Sequence, residues 1–316
     1  MQRLLTALNR LLVRFLLKPF LGPPLPVGLR RRWLSVAAKT VGGARDVERS
    51  ELWLGEVPAL RLRPARSAPV GPATPAERSA ILYVHGGGFL LGGAGSHGGL
   101  ASRIAAASGA DVYLPEYRLA PEHPHPAPGD DLFAAYAALL ELGHRPERIA
   151  IVGDSAGGAL TTSLALTLPE MGVPGPAALV LISPWLDLSL SGASVAANAP
   201  VDPMLKRSFL EEGARAHAGA LHRTDPRVSP LFADLRGLPP TLVQVGSDEI
   251  LLDDSTRFAD RAYAAGVEVE LKRFEGLWHD FQAEASMLAV AREAIDAIAA
   301  FVARRSAGAA PAPSRA

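Results

Sequence analysis

The chain has 316 residues, 48% of them hydrophobic and 20% charged, with 32 Lys plus Arg against 32 Asp plus Glu and no cysteine. This length suffices for one large α/β core. The balanced charge excludes a global basic field for nucleic acid, and the lack of cysteine excludes disulfides and thiolate metal sites. The charge is uneven along the chain: nine Lys and Arg precede Asp46, and no acid does.

The first twenty residues, MQRLLTALNRLLVRFLLKPF, put Leu4, Leu8, Leu11 and Phe15 with Leu5, Leu12 and Leu16 on one helical stripe, and Arg3, Arg10 and Arg14 on another face. Arg14 interrupts the apolar run that a secretory signal needs, and the run is far below the roughly 18 residues of a membrane span. A cytoplasmic location is therefore expected. Three roles are open to this helix: packing over a core as part of a lid, lying in a membrane interface, or joining two copies into a homodimer. Packing is the leading expectation.

LGPPLP at residues 21–26 breaks the helix, and the Pro-, Ala- and Ser-rich stretch 65–76 reads as a loop after early strands. Strands are then expected at residues 80–85, 110–114, 148–152, 178–183, 240–245 and 267–274. Helices fall between them at 96–108, 130–142, 156–168 and 253–265. Apolar strands alternating with helices predict a doubly wound, mostly parallel α/β sheet covered on both faces. About 55 residues separate the strands ending near 184 and starting at 240, more than a simple crossover needs. Residues 188–224 therefore read as an inserted cap segment. A single helix is expected over 281–304 and a disordered tail over 306–316. The domain reading is a cap segment at 1–45 and a catalytic domain at 46–305.

The sequence GDSAGG at residues 153–158 follows a strand and opens a helix. Small residues around Ser155 allow a sharp strand-to-helix turn that exposes its hydroxyl, and the helix N-terminus favours developing negative charge. HGGGF at 85–89 frees backbone N–H groups to face a ligand, as an oxyanion requires. Gly86, Gly87, Gly88 and Ala156 are the expected donors. Neither stretch carries the G-K-[ST] of a phosphate loop or a dinucleotide fingerprint. His85 is expected to brace its loop rather than act as a base. Of eight histidines, His279 alone lies in a loop just after a late strand. Asp248 follows the strand at 240–245 and is taken as the acid that orients His279. Its neighbour Glu249 is expected to point elsewhere, and Asp253 and Asp254 to cap the next helix. The order Ser155, Asp248, His279 suits a nucleophile, acid and base on such a sheet.

Together HGGGF, YRLAPEHPHPAP at 117–128, GDSAGG, SDEILLDD at 247–254 and WHDF at 278–281 resemble the hormone-sensitive-lipase-like esterases of the α/β-hydrolase superfamily. The resemblance runs over about residues 52–304. It implies the α/β-hydrolase fold with a helical cap made by the N-terminus and the insertion. It implies a carboxylic ester hydrolase that needs no cofactor or metal and acts on short- to medium-chain acyl esters through an acyl-enzyme on Ser155. A membrane-associated lipase and a non-catalytic small-molecule receptor are the alternatives. The family acid is usually followed by Pro-Leu and its histidine by Gly-Phe, whereas this chain has Glu249-Ile250 and Asp280-Phe281. The resemblance also implies that Tyr117 and Arg118 are buried near the oxyanion loop and that Glu122 bonds backbone. His123 and His125 lack the partners of a metal site. Phe15, Leu16, Leu186, Met204, Leu205 and Phe209 are expected to line the substrate pocket, with Leu12 and Phe20 beside them.

Overall fold

A computed structural model describes residues 2–65 and 74–306; the tail and most of the loop at 65–76 lie outside them. The chain opens with helix α1 (Gln2–Leu12), a π-helical stretch (Val13–Leu17) and the short α2 (Lys18–Leu21), followed by α3 (Val27–Val41). The strands are β1 (Val47–Leu54), β2 (Val57–Pro64), β3 (Ala80–Val84), β4 (Asp111–Pro115), β5 (Ile149–Asp154), β6 (Ala178–Ile182), β7 (Thr241–Gly246) and β8 (Val269–Phe274). The remaining helices are α4 (Ala94–Ser108), α5 (Ala127–Glu141), α6 (Ala156–Glu170), α7 (Ser194–Ala197), α8 (Arg207–Ala218), α9 (Leu252–Ala264) and α10 (Ala289–Ser306).

One eight-stranded sheet runs β1-β2-β4-β3-β5-β6-β7-β8. β1, β2 and β4 pair antiparallel, and every other neighbouring pair is parallel. The central strands are apolar because both faces are covered. Ala80, Leu82 and Val84 of β3 belong to the core cluster on the face covered by α5, α6 and α9, while Ile81 and Tyr83 belong to the one on the face covered by α4 and α10. The outermost strand β8 carries Glu270, Lys272 and Arg273, charges that guard an open edge against pairing.

Two sequence expectations need correction here. The region expected as one helix over 281–304 is a 3₁₀ turn (Phe281–Glu284) and then α10, with the chain re-aimed between them. The leucine stripe of α1 does not face the core. Leu4, Leu8, Leu11 and Phe15 are 74%, 52%, 51% and 65% exposed, whereas Asn9 and Val13 are buried. The polar Asn9 turns inward because its amide donates to half-buried Glu284 at 3.2 Å, and Arg10 turns with it towards the loops beyond β7 and β8.

The N-terminal helices and the insertion touch at several points. Arg14 and Lys18 donate to the carbonyls of Pro200 and Asp202. Arg30 of α3, 2% exposed, forms a two-pronged ion pair with Glu212 of α8 and also donates to the Leu21 carbonyl. Two segments distant in sequence are thereby tied to one another.

Candidate active site

The chain turns sharply between β5 and α6, leaving Ser155 at φ 52° and ψ −121°, a conformation that costs a non-glycine residue about 1–3 kcal/mol. Bonds on both sides hold it there: the Ser155 amide donates to the Ile182 carbonyl, and the amides of Gly158 and Trp185 donate to the Ser155 carbonyl. A side chain on Gly157 would put its Cβ 2.0 Å from the Val84 carbonyl oxygen, so glycine is required where α6 meets β3.

His279 follows β8 and lies 2.9 Å from the Ser155 hydroxyl through Nε2. Its Nδ1 is 2.9 Å from Oε2 of Glu249, not Asp248. The expectation that Asp248 meets His279 is therefore corrected. After Gly246 the chain turns so that Asp248 points outward, accepting from Arg10 at 2.6 Å and from the Ser247 hydroxyl at 2.8 Å. Glu249 turns inward and is fully buried. Its Oε1 accepts from the Ser183 hydroxyl at 2.9 Å and the Gly246 amide at 2.6 Å. A signal for this was in the sequence: an acid followed by two apolar residues fits Glu249-Ile250-Leu251 better than Asp248-Glu249-Ile250.

The oxyanion loop also differs from expectation. The Gly86 amide is taken by Oδ2 of Asp154 at 2.9 Å, and Tyr83 donates to Oδ1 at 2.7 Å. Gly86 therefore anchors the loop. Among the described residues the amides of Gly87 and Gly88 donate to no other backbone group, and Ala156 opens α6, where an amide lacks an intrahelical acceptor. His85 makes no hydrogen bond with Ser155. Its Nδ1 is 2.8 Å from the Gly86 carbonyl, its ring stacks on Tyr117, and Tyr117 donates to the His85 carbonyl at 2.6 Å. Burial and the neighbouring His97 lower its pKa to about 3, so it stays neutral.

Other motif residues take different places. Arg118 is half-exposed and pairs with Asp131, and Glu122 pairs with Arg31, so neither is buried by the oxyanion loop. Arg31 instead donates to the Leu90 and Ala120 carbonyls. Asp253 and Asp254 serve other elements than α9: Asp253 accepts from the Ser194 amide, and Asp254 from the amides of Leu186 and Asp187. Among the described residues no group of three His, Asp or Glu could hold a metal ion, and no helix is long and apolar enough to cross a membrane.

A cavity of about 320 Å³ opens against His279. Of the expected lining, only Leu12, Leu16 and Met204 reach it. Phe15 points to solvent, and Phe20 packs on Trp33. Leu186, Leu205 and Phe209 are core residues, Phe209 lying behind Gly88 and Gly22. The sequence reading missed Val13, Leu17, Trp33, Leu100, Trp278 and Met287, which also line the cavity. Val13 and Leu17 continue the inward face of Asn9, a face that the leucine stripe masks in the sequence.

The family model for the alpha/beta hydrolase fold matches residues 81–283. An esterase of Acinetobacter venetianus is 43% identical over 249 residues, covering 77% of this chain and 82% of its own. A crystal structure of an esterase from the bacterial hormone-sensitive lipase family, 35% identical, superposes with a TM-score of 0.86 over 96% of this chain and 98% of its own. The chain belongs to the hormone-sensitive-lipase-like carboxylesterases of the α/β-hydrolase fold. This esterase is also 37% identical to an acetyl-hydrolase of Streptomyces hygroscopicus, over 79% of the chain and 80% of the relative.

Around the esterase's histidine, carboxylates dominate. Burial pulls the His279 pKa down, but Asp280 and Glu249 together hold it well above the ordinary histidine range. Burial lifts Asp280 to about 6, opposed by His279 and reinforced by Asp154. Burial likewise works against charge on His97, yet Asp154 and Asp280 raise its pKa.

Proposed function

We propose that this esterase hydrolyses short- to medium-chain acyl esters through an acyl-enzyme on Ser155. In the first step His279 Nε2 takes the hydroxyl proton as Ser155 Oγ bonds to the ester carbonyl carbon, and the π electrons move to the carbonyl oxygen. The amides of Gly87, Gly88 and Ala156 hold that oxyanion. The Nε2 proton then passes to the leaving alkoxy oxygen, giving the alcohol and the acyl-serine. Water repeats the cycle: His279 takes its proton, hydroxide oxygen bonds to the acyl carbon, and Ser155 leaves reprotonated with the carboxylic acid as product. In the neutral ring Glu249, accepting from Nδ1, leaves the lone pair on Nε2, and once the ring is charged it stabilises the imidazolium.

The observation carrying this reading is the 2.9 Å contact between Ser155 Oγ and His279 Nε2. A receptor on the same fold needs no such contact. The acyl-chain range rests on the cavity: about 320 Å³, walled by Leu12, Val13, Leu16, Leu17, Trp33 and Met204, is at the small end of ligand pockets. Turnover of p-nitrophenyl esters of increasing chain length tests both parts. Ser155→Ala should abolish hydrolysis while the protein stays folded, and the rate should fall off beyond medium chains. Hydrolysis by the alanine variant, or a maximum at long chains, would overturn the corresponding part.

A second reading concerns the exposed stripe of Leu4, Leu8, Leu11 and Phe15. Exposed Arg3 and Arg14 border it, and no acid occurs before Asp46, so an anionic lipid surface is the occupant its charge fits. Vesicles with anionic lipid should bind the protein, and Leu8→Glu with Phe15→Glu should release it. Equal failure on all vesicles, with a dimer in sedimentation that the same substitutions dissolve, would assign the stripe to self-association.

A further inference from the structure

In the mechanism above one imidazole nitrogen meets the carboxylate and the other meets the serine. Here the second nitrogen has another neighbour. Oδ2 of Asp280 lies 3.1 Å from His279 Nε2, the atom that is 2.9 Å from the Ser155 hydroxyl. Asp280 sits at φ 52°, and its amide donates to the Ser183 hydroxyl, which in turn donates to Glu249. Its backbone is therefore held by the same framework that holds the base. Its other oxygen, Oδ1, is buried with no hydrogen-bond partner among the described residues.

We propose that Asp280 is a positioning residue whose carboxylate, standing beside His279 Nε2, sets the pH at which the imidazole becomes free to act as a base. The inference rests on the reading of Ser155 and His279 given above. An imidazole nitrogen has one in-plane lone pair. A carboxylate 3.1 Å from Nε2 favours the charged ring, so Nε2 at rest carries a proton within ion-pair range of Asp280, while Glu249 accepts the proton on Nδ1. In that form Nε2 cannot take the Ser155 proton. The active form arises when the Nε2 proton leaves to solvent. The Ser155 proton then moves to Nε2 as Oγ bonds to the ester carbon, and the imidazolium so formed again faces Asp280. The carboxylate thus has two opposed effects: it delays formation of the base as pH rises, and it stabilises the ion formed during attack.

The charges facing Asp280 come from several elements. Asp154, at the end of β5, presents Oδ2 to His97 Nε2 of α4 at 3.4 Å, and His97 lies between the two aspartates electrostatically. Glu249 approaches from the turn after β7, Tyr83 from β3 and Glu284 from the 3₁₀ turn that follows. His97 and His279 stand against Asp154, Asp280 and Glu249. Within this excess of acid, Asp280 is the carboxylate that touches Nε2.

The pH profile of kcat/KM provides the test, because its acid limb reports the free enzyme's base. Asp280→Asn and Asp280→Gly both suit a backbone at φ 52°, so the loop should survive in at least one of them. The acid limb should move down by about one pH unit or more, the effect of removing an opposite charge within hydrogen-bond distance. On the limb, the rate relative to the plateau should then rise about tenfold, while the plateau itself falls as the imidazolium loses a partner. A rate lowered equally at every pH, with the limb unmoved, would make Asp280 purely structural and overturn the proposal. Ser155→Ala separates the two levels. Activity in that variant would remove the reading beneath the proposal, whereas its inactivity alongside an unmoved limb in the Asp280 variants refutes the proposal alone.

Discussion

Glu249→Gln and Asp248→Asn differ by one position in sequence and should differ by orders of magnitude in rate. Glu249 is fully buried and accepts three hydrogen bonds, from the Ser183 hydroxyl, the Gly246 amide and His279 Nδ1. A glutamine keeps one oxygen for Ser183 and Gly246, which leaves its NH₂ facing Nδ1. The imidazole must then accept at Nδ1 and carry its proton on Nε2, the tautomer that cannot take the Ser155 proton. An equivalent loss of the orienting acid in serine hydrolases lowers kcat by about 10⁴. That is about 5–6 kcal/mol of barrier at about 1.4 kcal/mol per tenfold. Asp248 instead makes a partly exposed ion pair with Arg10, with 27% and 26% of the side chains accessible. Such pairs contribute about 0.2–1 kcal/mol, so Asp248→Asn should keep the rate within about fivefold. Steady-state hydrolysis of p-nitrophenyl butyrate at saturating substrate measures both, with melting temperatures to confirm folding. The reasoning is refuted if Asp248→Asn is the more damaged variant, or if Glu249→Gln retains a substantial part of the parent rate.

Two further outcomes follow from the geometry. Gly88→Ala places a Cβ 2.6 Å from the Phe209 ring at a backbone φ of 64°, so the oxyanion loop must shift; kcat should fall by about 10²–10³ with the protein still folded, and an unchanged kcat would remove Gly88 from the oxyanion site. Asp254 is buried beneath the Leu186 and Asp187 amides, and burial pushes it up to about 8, far above an unfolded carboxyl. Its contribution to stability is therefore full at acid pH and is lost as pH rises towards about 8. Asp254→Asn keeps an acceptor for both amides and cannot ionise, so the variant should lose less Tm than the parent on going from mildly acid to alkaline pH; an identical loss would refute this.

Much of this protein follows from local pattern. The alternation of apolar strands and helices implies a covered parallel sheet, because strands buried on both faces leave no polar side in the sequence. Small residues around Ser155 and three consecutive glycines after His85 announce a tight turn and a free backbone, since bulkier residues collide there. The position of His279 after the last strand follows from the order of elements.

What local pattern could not decide was direction. Asp248 and Glu249 are adjacent acids at the end of one strand, and which turns inward depends on the Gly246 turn meeting the Leu277 carbonyl, with Arg10 waiting outside for the other. The leucines of α1 form the stronger stripe, yet Asn9 and Val13 face inward because Glu284 and the carbonyls of the insertion engage that side. Gly86 looks like an oxyanion donor until Asp154, 68 residues later, takes its amide. The contact of Asp280 with the reactive nitrogen likewise comes from a left-handed residue held by Ser183, just past the end of β6. Each case turns on a partner distant in sequence, and only the folded chain brings that partner within reach.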